Sequence, residues 1–420
     1  NDHSPALYKT TDYGNTWTKI VNGLPANAFT RVVREDEVRK DLLFAGTELG
    51  LFLSWNGGGD WSPFQLNLPI TPITDLRIHK GNLIASTSGR SFWILDDLSV
   101  IRQYKKDAPA FNIYRPGGAY LVNGSSELDE TSDEFIGANR LRGVNPATGV
   151  VVYYQLPELK KTDEIMMEIK DAAGITVRRF SSKADEKLTK YEGAPKPDPL
   201  LPKSKGLNRF VWDMRYSTMP GVPNVDMEIS YAGHKAPPGK YSITVKIGEQ
   251  TVSSETEILA NPLYPTSAAT YMEYHQTMLG METELTSMHR MVNSLYEKQK
   301  QLESLLSRLP AGDKFSAARK EGDALLKKMK SWDEDMVQRK SKAYDDVENF
   351  PNKFTANYLF LINQTESDIP RVNQPSLDRL KQLNTEWSAL KARGSEILDK
   401  DVPSLNKRLW DAGLGAIWKD

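Results

Sequence analysis

A short stretch near the start of the chain decides the predicted fold: Thr10-Thr11-Asp12-Tyr13-Gly14-Asn15-Thr16-Trp17. It has the form Ser/Thr-x-Asp-x-Gly-x-x-Trp. A second copy, with Asn in place of Asp, begins 44 residues later and reads Ser54-Trp55-Asn56-Gly57-Gly58-Gly59-Asp60-Trp61. A spacing of about 40–45 residues is what one four-stranded blade of a β-propeller requires. The two copies therefore predict consecutive propeller blades.

The segments beside the two copies repeat as well. Residues 43–47 precede residues 50–53, and residues 84–87 precede residues 91–95 in the same way. Each pair reads as two short strands joined by a tight turn. Asp96-Asp97 then stands where the motif would recur, but its Gly and Trp are missing, so this unit predicts a degenerate final blade.

We expect residues 1–105 to be the last blades of a propeller. A propeller closes with about 4–8 blades, so these residues form an incomplete ring. The predicted partner is therefore an upstream propeller segment of the same protein, either covalently joined or cleaved.

The middle of the chain predicts a connecting region and then a second β-domain. Residues 106–149 contain Pro-Gly-Gly and an acidic run and read as loop. Residues 150–262 contain short strands separated by turn signals, such as the run Val150-Val151-Val152-Tyr153-Tyr154. That spacing favours a β-sandwich of the immunoglobulin or fibronectin III kind.

After residue 262 the apolar period changes to that of helices. The first helix has a heptad seam interrupted only at Gln299; its members are Met278, Met281, Leu285, Met288, Val292, Leu295, Leu302, Leu306 and Leu309. Two further stretches, 325–336 and 380–397, keep the same spacing. Residues 263–420 therefore predict an antiparallel α-helical bundle.

The repeated motif has a structural explanation in each of its positions. The Asp side chain can accept hydrogen bonds from amides of its own turn, and Gly supplies a backbone conformation that a Cβ opposes. The Trp ring is expected to pack between adjacent sheets. We interpret the following residues as structural ones that stabilise the hairpins and have no catalytic role: Thr10, Asp12, Gly14, Trp17, Ser54, Asn56, Gly58 and Trp61.

Three segments of the chain resemble a known family. The motif is an Asp-box, and residues 8–14, 44–48 and 89–97 resemble the last blades of sortilin/VPS10-like and BNR-repeat "glycosyl hydrolase" proteins of Bacteroidetes-like bacteria. The resemblance implies propeller blades followed by a β-sandwich and a helical tail. It also implies an exported protein, secreted, on the cell surface or in the periplasm of a Gram-negative bacterium. No catalytic motif of the family is matched, so no catalytic residue is carried over.

Composition narrows the classes of partner. The 54 Lys and Arg nearly balance the 55 Asp and Glu, so the net charge of −1 creates no long-range field for nucleic acid. The absence of cysteine excludes disulfides and thiol chemistry.

No stretch approaches the about 20 apolar residues of a membrane span. Residues 1–5 do not read as a signal peptide, so the chain is expected to begin after processing or within a larger protein.

Three residues are candidates for contact with a ligand. Trp55 alternates out of its predicted hairpin and is the tryptophan that we expect to be most exposed. Asp96 and Asp97 are adjacent carboxylates that could raise each other's pKa, as an acid–base pair would require. The structural alternative is that Asp96 occupies a relic of the Asp-box turn and that Asp97 caps the exit from it.

No metal or cofactor site is expected. The five histidines have no metal-ligand spacing, and His275 and His289 are predicted to lie exposed on the first long helix. The acidic run lacks the order of a calcium loop and reads as solvated; it comprises Glu127, Asp129, Glu130, Asp133 and Glu134.

The sequence thus predicts a non-catalytic, exported scaffold or binding protein. Its propeller would bind protein, such as other envelope proteins, or a glycan, and the sandwich and helices would serve as docking modules. The alternative is a glycoside hydrolase whose catalytic carboxylates lie in upstream blades.

Overall fold

The computed structural model describes residues 2–131, 142–186, 188–310, 312–366 and 370–414. These residues form several antiparallel sheets followed by a helical region. The first ten elements are β1 Tyr8–Lys9, β2 Thr18–Lys19, β3 Thr30–Glu35, β4 Leu43–Thr47, β5 Gly50–Ser54, β6 Ser62–Pro63, β7 Ile73–His79, β8 Asn82–Thr87, β9 Phe92–Leu95 and α1 Ser99–Gln103.

The N-terminal strands make three small sheets in chain order: β1–β2, β3–β4–β5–β6 and β7–β8–β9. Within each sheet, neighbouring strands pair antiparallel. Apolar side chains of the second and third sheets share one core, which includes Phe44, Leu53, Ile73 and Leu83. The expectation of repeated short hairpins between residues 8 and 95 is confirmed.

The next strands are β10 Asn112–Ile113, β11 Ala119–Tyr120, β12 Val150–Leu156, β13 Ile165–Asp171, β14 Thr176–Ser181, β15 Gly206–Trp212, β16 Gly239–Ile247 and β17 Gln250–Leu259. They form one sheet in the order β10–β12–β15 and another in the order β11–β17–β16–β13–β14. Alternate residues of strands from both sheets, such as Val152 in β12 and Ile243 in β16, enter a common core.

Residues 106–149 are more than a connecting loop. Strand β10 pairs antiparallel with β12, and strand β11 pairs parallel with β17. The segment therefore adds one edge strand to each sheet. Two-residue strands are too short to produce a period-two pattern, which is why the sequence predicted only loop here.

The helices are α2 Ala268–Arg308, α3 Asp313–Met336, α4 Phe354–Thr365, α5 Gln374–Glu396 and α6 Val402–Asp411, with one π turn, Ile397–Asp401, between the last two. The predicted seam of α2 is buried along its whole length, including the interruption at Gln299. Ser267 and Asn373 cap α2 and α5 through their side-chain oxygens.

Helix α4 was missed by the sequence analysis. Eight of its twelve residues are buried, among them Tyr358, Leu359 and Ile362. A helix enclosed on most sides has no polar face, so it shows no amphipathic period.

The helical core also includes residues that precede β16. Met219, Val222, Val225, Met227 and Tyr231 are buried in the same cluster as the seam residues of α2. The predicted boundary at residue 262 therefore does not separate two independent cores.

Candidate functional site

Both Asp-box turns close hairpins through the same hydrogen bonds. In the first turn, the Asp12 carboxylate accepts from the amide N–H of Thr16 at 2.8 Å and from the Thr16 hydroxyl at 2.6 Å. The Gly14 amide N–H donates to the hydroxyl of Thr10 at 2.8 Å. These hydrogen bonds lower the pKa of Asp12, and the bond from the Thr16 hydroxyl has the largest effect. Asp12 is thus occupied within its own turn.

The second turn repeats this arrangement with an amide. The side-chain oxygen of Asn56 accepts from the Asp60 amide N–H at 3.0 Å, and the Gly58 amide N–H donates to the Ser54 hydroxyl at 2.9 Å. Gly58 has a φ of +90°, and a Cβ there would lie 2.6 Å from the side chain of Ile20. Glycine is required by both the backbone and the packing.

The tryptophans of the two boxes differ. Trp61 is 4% exposed, packs in the core between the first two sheets and donates from its indole N–H to the Ile20 carbonyl at 2.9 Å. Trp17 is 61% exposed, so the expectation that it packs between sheets is wrong.

Trp55 is also placed differently from the prediction. It is half-buried rather than the most exposed tryptophan, because its ring lies 5.0 Å from that of Tyr104 and packs on the core of the second and third sheets. Its indole N–H is buried. Ligand contact by Trp55 remains a prediction.

Asp97 caps the chain after β9. It accepts from the amide and the hydroxyl of Ser99 at 2.9 and 2.8 Å, at the start of α1. Burial, and after it the charge of Asp97, raises the pKa of Asp96. Ligand contact by either carboxylate remains a prediction.

In the described part of the acidic run, Asp129 is hydrogen-bonded within the protein. Asp129 accepts from the amide of Ser126 at 2.7 Å and from the amide and hydroxyl of Thr148 at 2.7 and 2.9 Å. Asp133 and Glu134 lie outside the described residues. In the described ranges, no group of three His, Cys, Asp or Glu side chains is arranged to hold a metal ion.

A site that the sequence analysis missed lies where the loop between β15 and β16 meets α2. The carboxylate of Glu282 accepts from the His234 backbone N–H at 2.7 Å, and its other oxygen lies 2.9 Å from His234 Nδ1. His234 Nε2 lies 2.8 Å from His275 Nδ1. We call Glu282, His234 and His275 the carboxylate–histidine chain.

The carboxylate–histidine chain is largely buried and lies among aromatic side chains. His234 is fully buried and stacks on Tyr216, with ring centroids 4.7 Å apart and planes at 7°. Burial, and after it electrostatic interaction with His234, lowers the pKa of His275 to about 4. His275 is therefore neutral at pH 7.

The expected exposure of the two helix histidines is wrong. His275 is half-buried and bonded to His234. His289 is fully buried and its Nδ1 lies 2.6 Å from the Pro220 carbonyl oxygen; burial lowers its pKa to about 4. The segment around residue 220 covers this face of α2, and a covering loop leaves no trace in the helical period.

A small cavity of about 20 Å³ lies beside His275, and we call it the junction cavity. Its walls include Tyr271, Tyr274 and His275 from α2. A larger open cleft of about 510 Å³, the junction cleft, lies next to it. The cavity and the cleft share three lining residues, Asn123, Lys235 and Glu366.

The cleft carries charges of both signs. Arg215 donates to the Glu366 carboxylate at 2.6 Å and to the Gly233 carbonyl at 2.8 Å. Lys235 donates to the Val122 carbonyl, and Asp213 accepts from the Arg215 amide at 3.1 Å. The described lining of the cleft therefore holds two cations and three carboxylates, the third being that of Asp129.

One signal in the sequence could have pointed to this site. Glu282 falls within the apolar seam of α2, between Met278 and Leu285, and His275 precedes it by two helical turns. A carboxylate on a buried stripe requires a polar partner. The partner, His234, lies in a loop outside α2, and no sequence pattern links its position to that of Glu282. It therefore could not be identified from the sequence.

Comparison with known proteins finds no matching family model, no similar curated protein and no similar solved structure. In the part of the chain that the structure describes, no helix is long and apolar enough to cross a membrane.

Proposed function

We propose that the chain is a non-catalytic binding scaffold whose three N-terminal sheets are blades of a β-propeller. On this proposal, the two sheets that follow are a β-sandwich, and α2–α6 form a bundle that serves with it as a docking module. Support comes from two Asp-box hairpins in consecutive small sheets, at the spacing of one blade.

The exposed apolar side chains of strand β9 are the observation that supports a binding role. Strand β9 alternates between the core and the solvent: Trp93 and Leu95 pack inward, while Phe92 and Ile94 are 74% and 59% exposed. Across the sheet, Ile94 pairs with Ile84 and Phe92 pairs with Ser86. An apolar row on the outer face of a sheet indicates a surface that another element covers.

The occupant that we propose for this face is a further blade from another segment of the same protein. Blades of a propeller pack face to face, and the shared core of the sheets β3–β6 and β7–β9 supports such an arrangement. We further propose export to the surface or periplasm of a Gram-negative bacterium, where other envelope proteins or a glycan would be ligands of the closed ring. This part rests on the family resemblance and is tested by cell fractionation.

Hydrogen exchange tests the proposed ring. The amides of residues 92–95 are compared in the 420-residue chain and in the full product of its gene. Covering by a further blade predicts slower exchange in the full product. Equal exchange, or a gene that encodes no further blades, would overturn the proposal.

The alternative, a glycoside hydrolase, requires two carboxylates across a cleft. In the junction cleft, Glu366 is paired with Arg215, Asp129 bonds Thr148 and Asp213 bonds the amide of Arg215. None of the described residues that line the cleft is aromatic. Hydrolysis of β-glucans, xyloglucan or sialosides by the full gene product would favour the alternative over the scaffold.

A further inference from the structure

The sheet β7–β8–β9 ends in an edge strand whose outer main-chain groups are unpaired. The Thr87 amide N–H of β8 donates to the Ser91 carbonyl at 3.1 Å, and hydrogen-bonded pairs alternate from there along the two antiparallel strands. The N–H and C=O groups of Phe92 and Ile94 therefore point away from β8. In the part of the chain that the structure describes, no strand pairs with this side of β9.

The preceding sheet has a strand at the corresponding place. Strand β5 is the third strand of its sheet, as β9 is, and β6 pairs with its outer edge, where the Phe64 amide N–H donates to the Leu51 carbonyl at 2.8 Å. Leu51 corresponds to Phe92 in the repeat. In each hairpin a threonine, Thr47 or Thr87, donates its hydroxyl to the carbonyl of the residue before this position. After β9 the chain continues into α1, so a fourth strand must come from elsewhere.

The sequence of β9 does not protect its edge. In the edge strand β6, Pro63 has no N–H to offer, and the edge strand β14 contains the exposed Arg179. Strand β9 reads Phe-Trp-Ile-Leu, without proline or charge. An exposed, uncharged edge strand of residues with high β-propensity pairs readily with a second copy of itself.

The two ends of β9 carry opposite charges. Arg90 lies in the turn before the strand, and Asp96 directly follows it. Among the described residues, neither side chain forms an ion pair, whereas the neighbouring Asp97 bonds Ser99. Antiparallel alignment of two such strands brings the basic end of each beside the acidic end of the other. The edge is therefore complementary to itself in charge.

We infer that the chain forms a dimer in which β9 pairs antiparallel with β9 of a second copy, about a two-fold axis at Trp93. Phe92 then exchanges N–H···O=C bonds with Ile94 of the second copy, and the reverse pair does the same. Their side chains, 74% and 59% exposed in the single chain, lie side by side in the joined sheet. Arg90 of each copy lies near Asp96 of the other.

This inference concerns the edge of β9, whereas the further blade proposed above covers its face. The dimer does not depend on that blade. Pairing of two copies is lost on dilution, but covering by a blade of the same gene product is independent of concentration. Dilution therefore distinguishes a failure of one proposal from a failure of the other.

Analytical ultracentrifugation of the full chain, from micromolar to millimolar concentration, tests the inference. We expect the mass to double with concentration, with a dissociation constant in the micromolar range because the edge is short. Phe92→Lys and Ile94→Lys place a charge at exposed positions and are each expected to raise the dissociation constant at least about tenfold. The matched control is Ile175→Lys, at a residue that is 62% exposed and outside β9, and it is expected to leave the constant unchanged.

Reversal of the end charges tests the antiparallel alignment. Arg90→Glu and Asp96→Arg each place like charges together across the interface and are expected to weaken the dimer about fivefold. The double variant Arg90→Glu/Asp96→Arg reverses both ends, so opposite charges face each other again. We expect it to dimerise nearly as tightly as the natural chain.

Three results would overturn the inference. The first is a chain that stays monomeric at every concentration. The second is a dimer that Phe92→Lys and Ile94→Lys leave unaltered, or that the double charge reversal does not restore. The third is a full gene product that stays monomeric while its Phe92 and Ile94 amides are protected from exchange, since this would assign the edge to a strand of the same protein.

Discussion

Glu282 holds His234 by two contacts, with one carboxylate oxygen 2.7 Å from the backbone nitrogen and the other 2.9 Å from Nδ1. Glu282 belongs to the long helix α2 and His234 to the loop between β15 and β16. The pair therefore connects the helical region to the sheets through buried atoms. Its removal should affect both stability and the protonation of the histidines.

Replacing Glu282 should distinguish these two effects. Glu282→Ala leaves two buried donors of His234 unpaired and should cost roughly 3 kcal/mol of unfolding free energy in urea titrations. Glu282→Gln keeps one acceptor but turns an amide N–H₂ toward Nδ1, which must then accept. The ring proton of His234 then lies on Nε2, which donates to Nδ1 of His275.

Nitrogen-15 spectra of histidine-labelled protein report this exchange of tautomers directly. The matched control is Glu273→Gln, on the exposed side of the same helix. Unchanged histidine spectra in Glu282→Gln would contradict a hydrogen bond from His234 Nδ1–H to the Glu282 carboxylate.

The two Asp-box tryptophans provide a matched pair. Trp61→Ala empties a buried site and should cost roughly 3–5 kcal/mol of local stability. Trp17→Ala removes a ring that is 61% exposed and should cost less than about 1 kcal/mol. Exchange rates of the amides in β4 and β5 measure both; equal effects would contradict the structural role assigned to Trp61.

Glycine 58 and glycine 280 should respond in opposite directions to alanine. Gly58→Ala places a Cβ 2.6 Å from Ile20 at a φ of +90° and should destabilise by at least about 1 kcal/mol. Gly280 lies inside α2 with nothing within 4 Å of a Cβ, so Gly280→Ala should stabilise by about 0.5–1 kcal/mol. Thermal unfolding of each variant tests the sign.

Burial of His289 should make stability depend on pH. Its pKa is about 4 when folded and 6.5 as the ordinary value, so the unfolded chain binds the extra proton between these limits. The stability associated with the neutral imidazole is fully present above pH 6.5 and is lost progressively as the pH falls to 4. Below pH 4, His289 causes no further change in the free energy of unfolding. A shift of this size corresponds to roughly 3 kcal/mol.

His289→Gln should therefore flatten the stability profile between pH 6.5 and 4 relative to the natural chain. His79→Gln, which removes an exposed imidazole on β7, is the control. Parallel profiles for the natural chain and His289→Gln would contradict the prediction.

The local parts of the fold were predictable because they depend on neighbours in the sequence. The Asp-box turns contain all their own donors and acceptors, from Thr10 to Thr16, and the seam of α2 repeats within one helix. The carboxylate–histidine chain was not predictable, because His234 and Glu282 are 48 residues apart and meet only through tertiary packing. Trp17 and Trp61 occupy the same motif position, and only the structure shows which of them is covered.

The segment from Met219 to Tyr231 packs into the core of the helices although it precedes β16 in the chain. The bundle is for this reason not a transferable module. A gene fusion or recombination event that joins at residue 262 would deliver helices without the apolar side chains that complete their interior. Lineages that carry this arrangement are expected to inherit or lose residues 219–409 as one block, which constrains how such proteins can acquire new domain combinations.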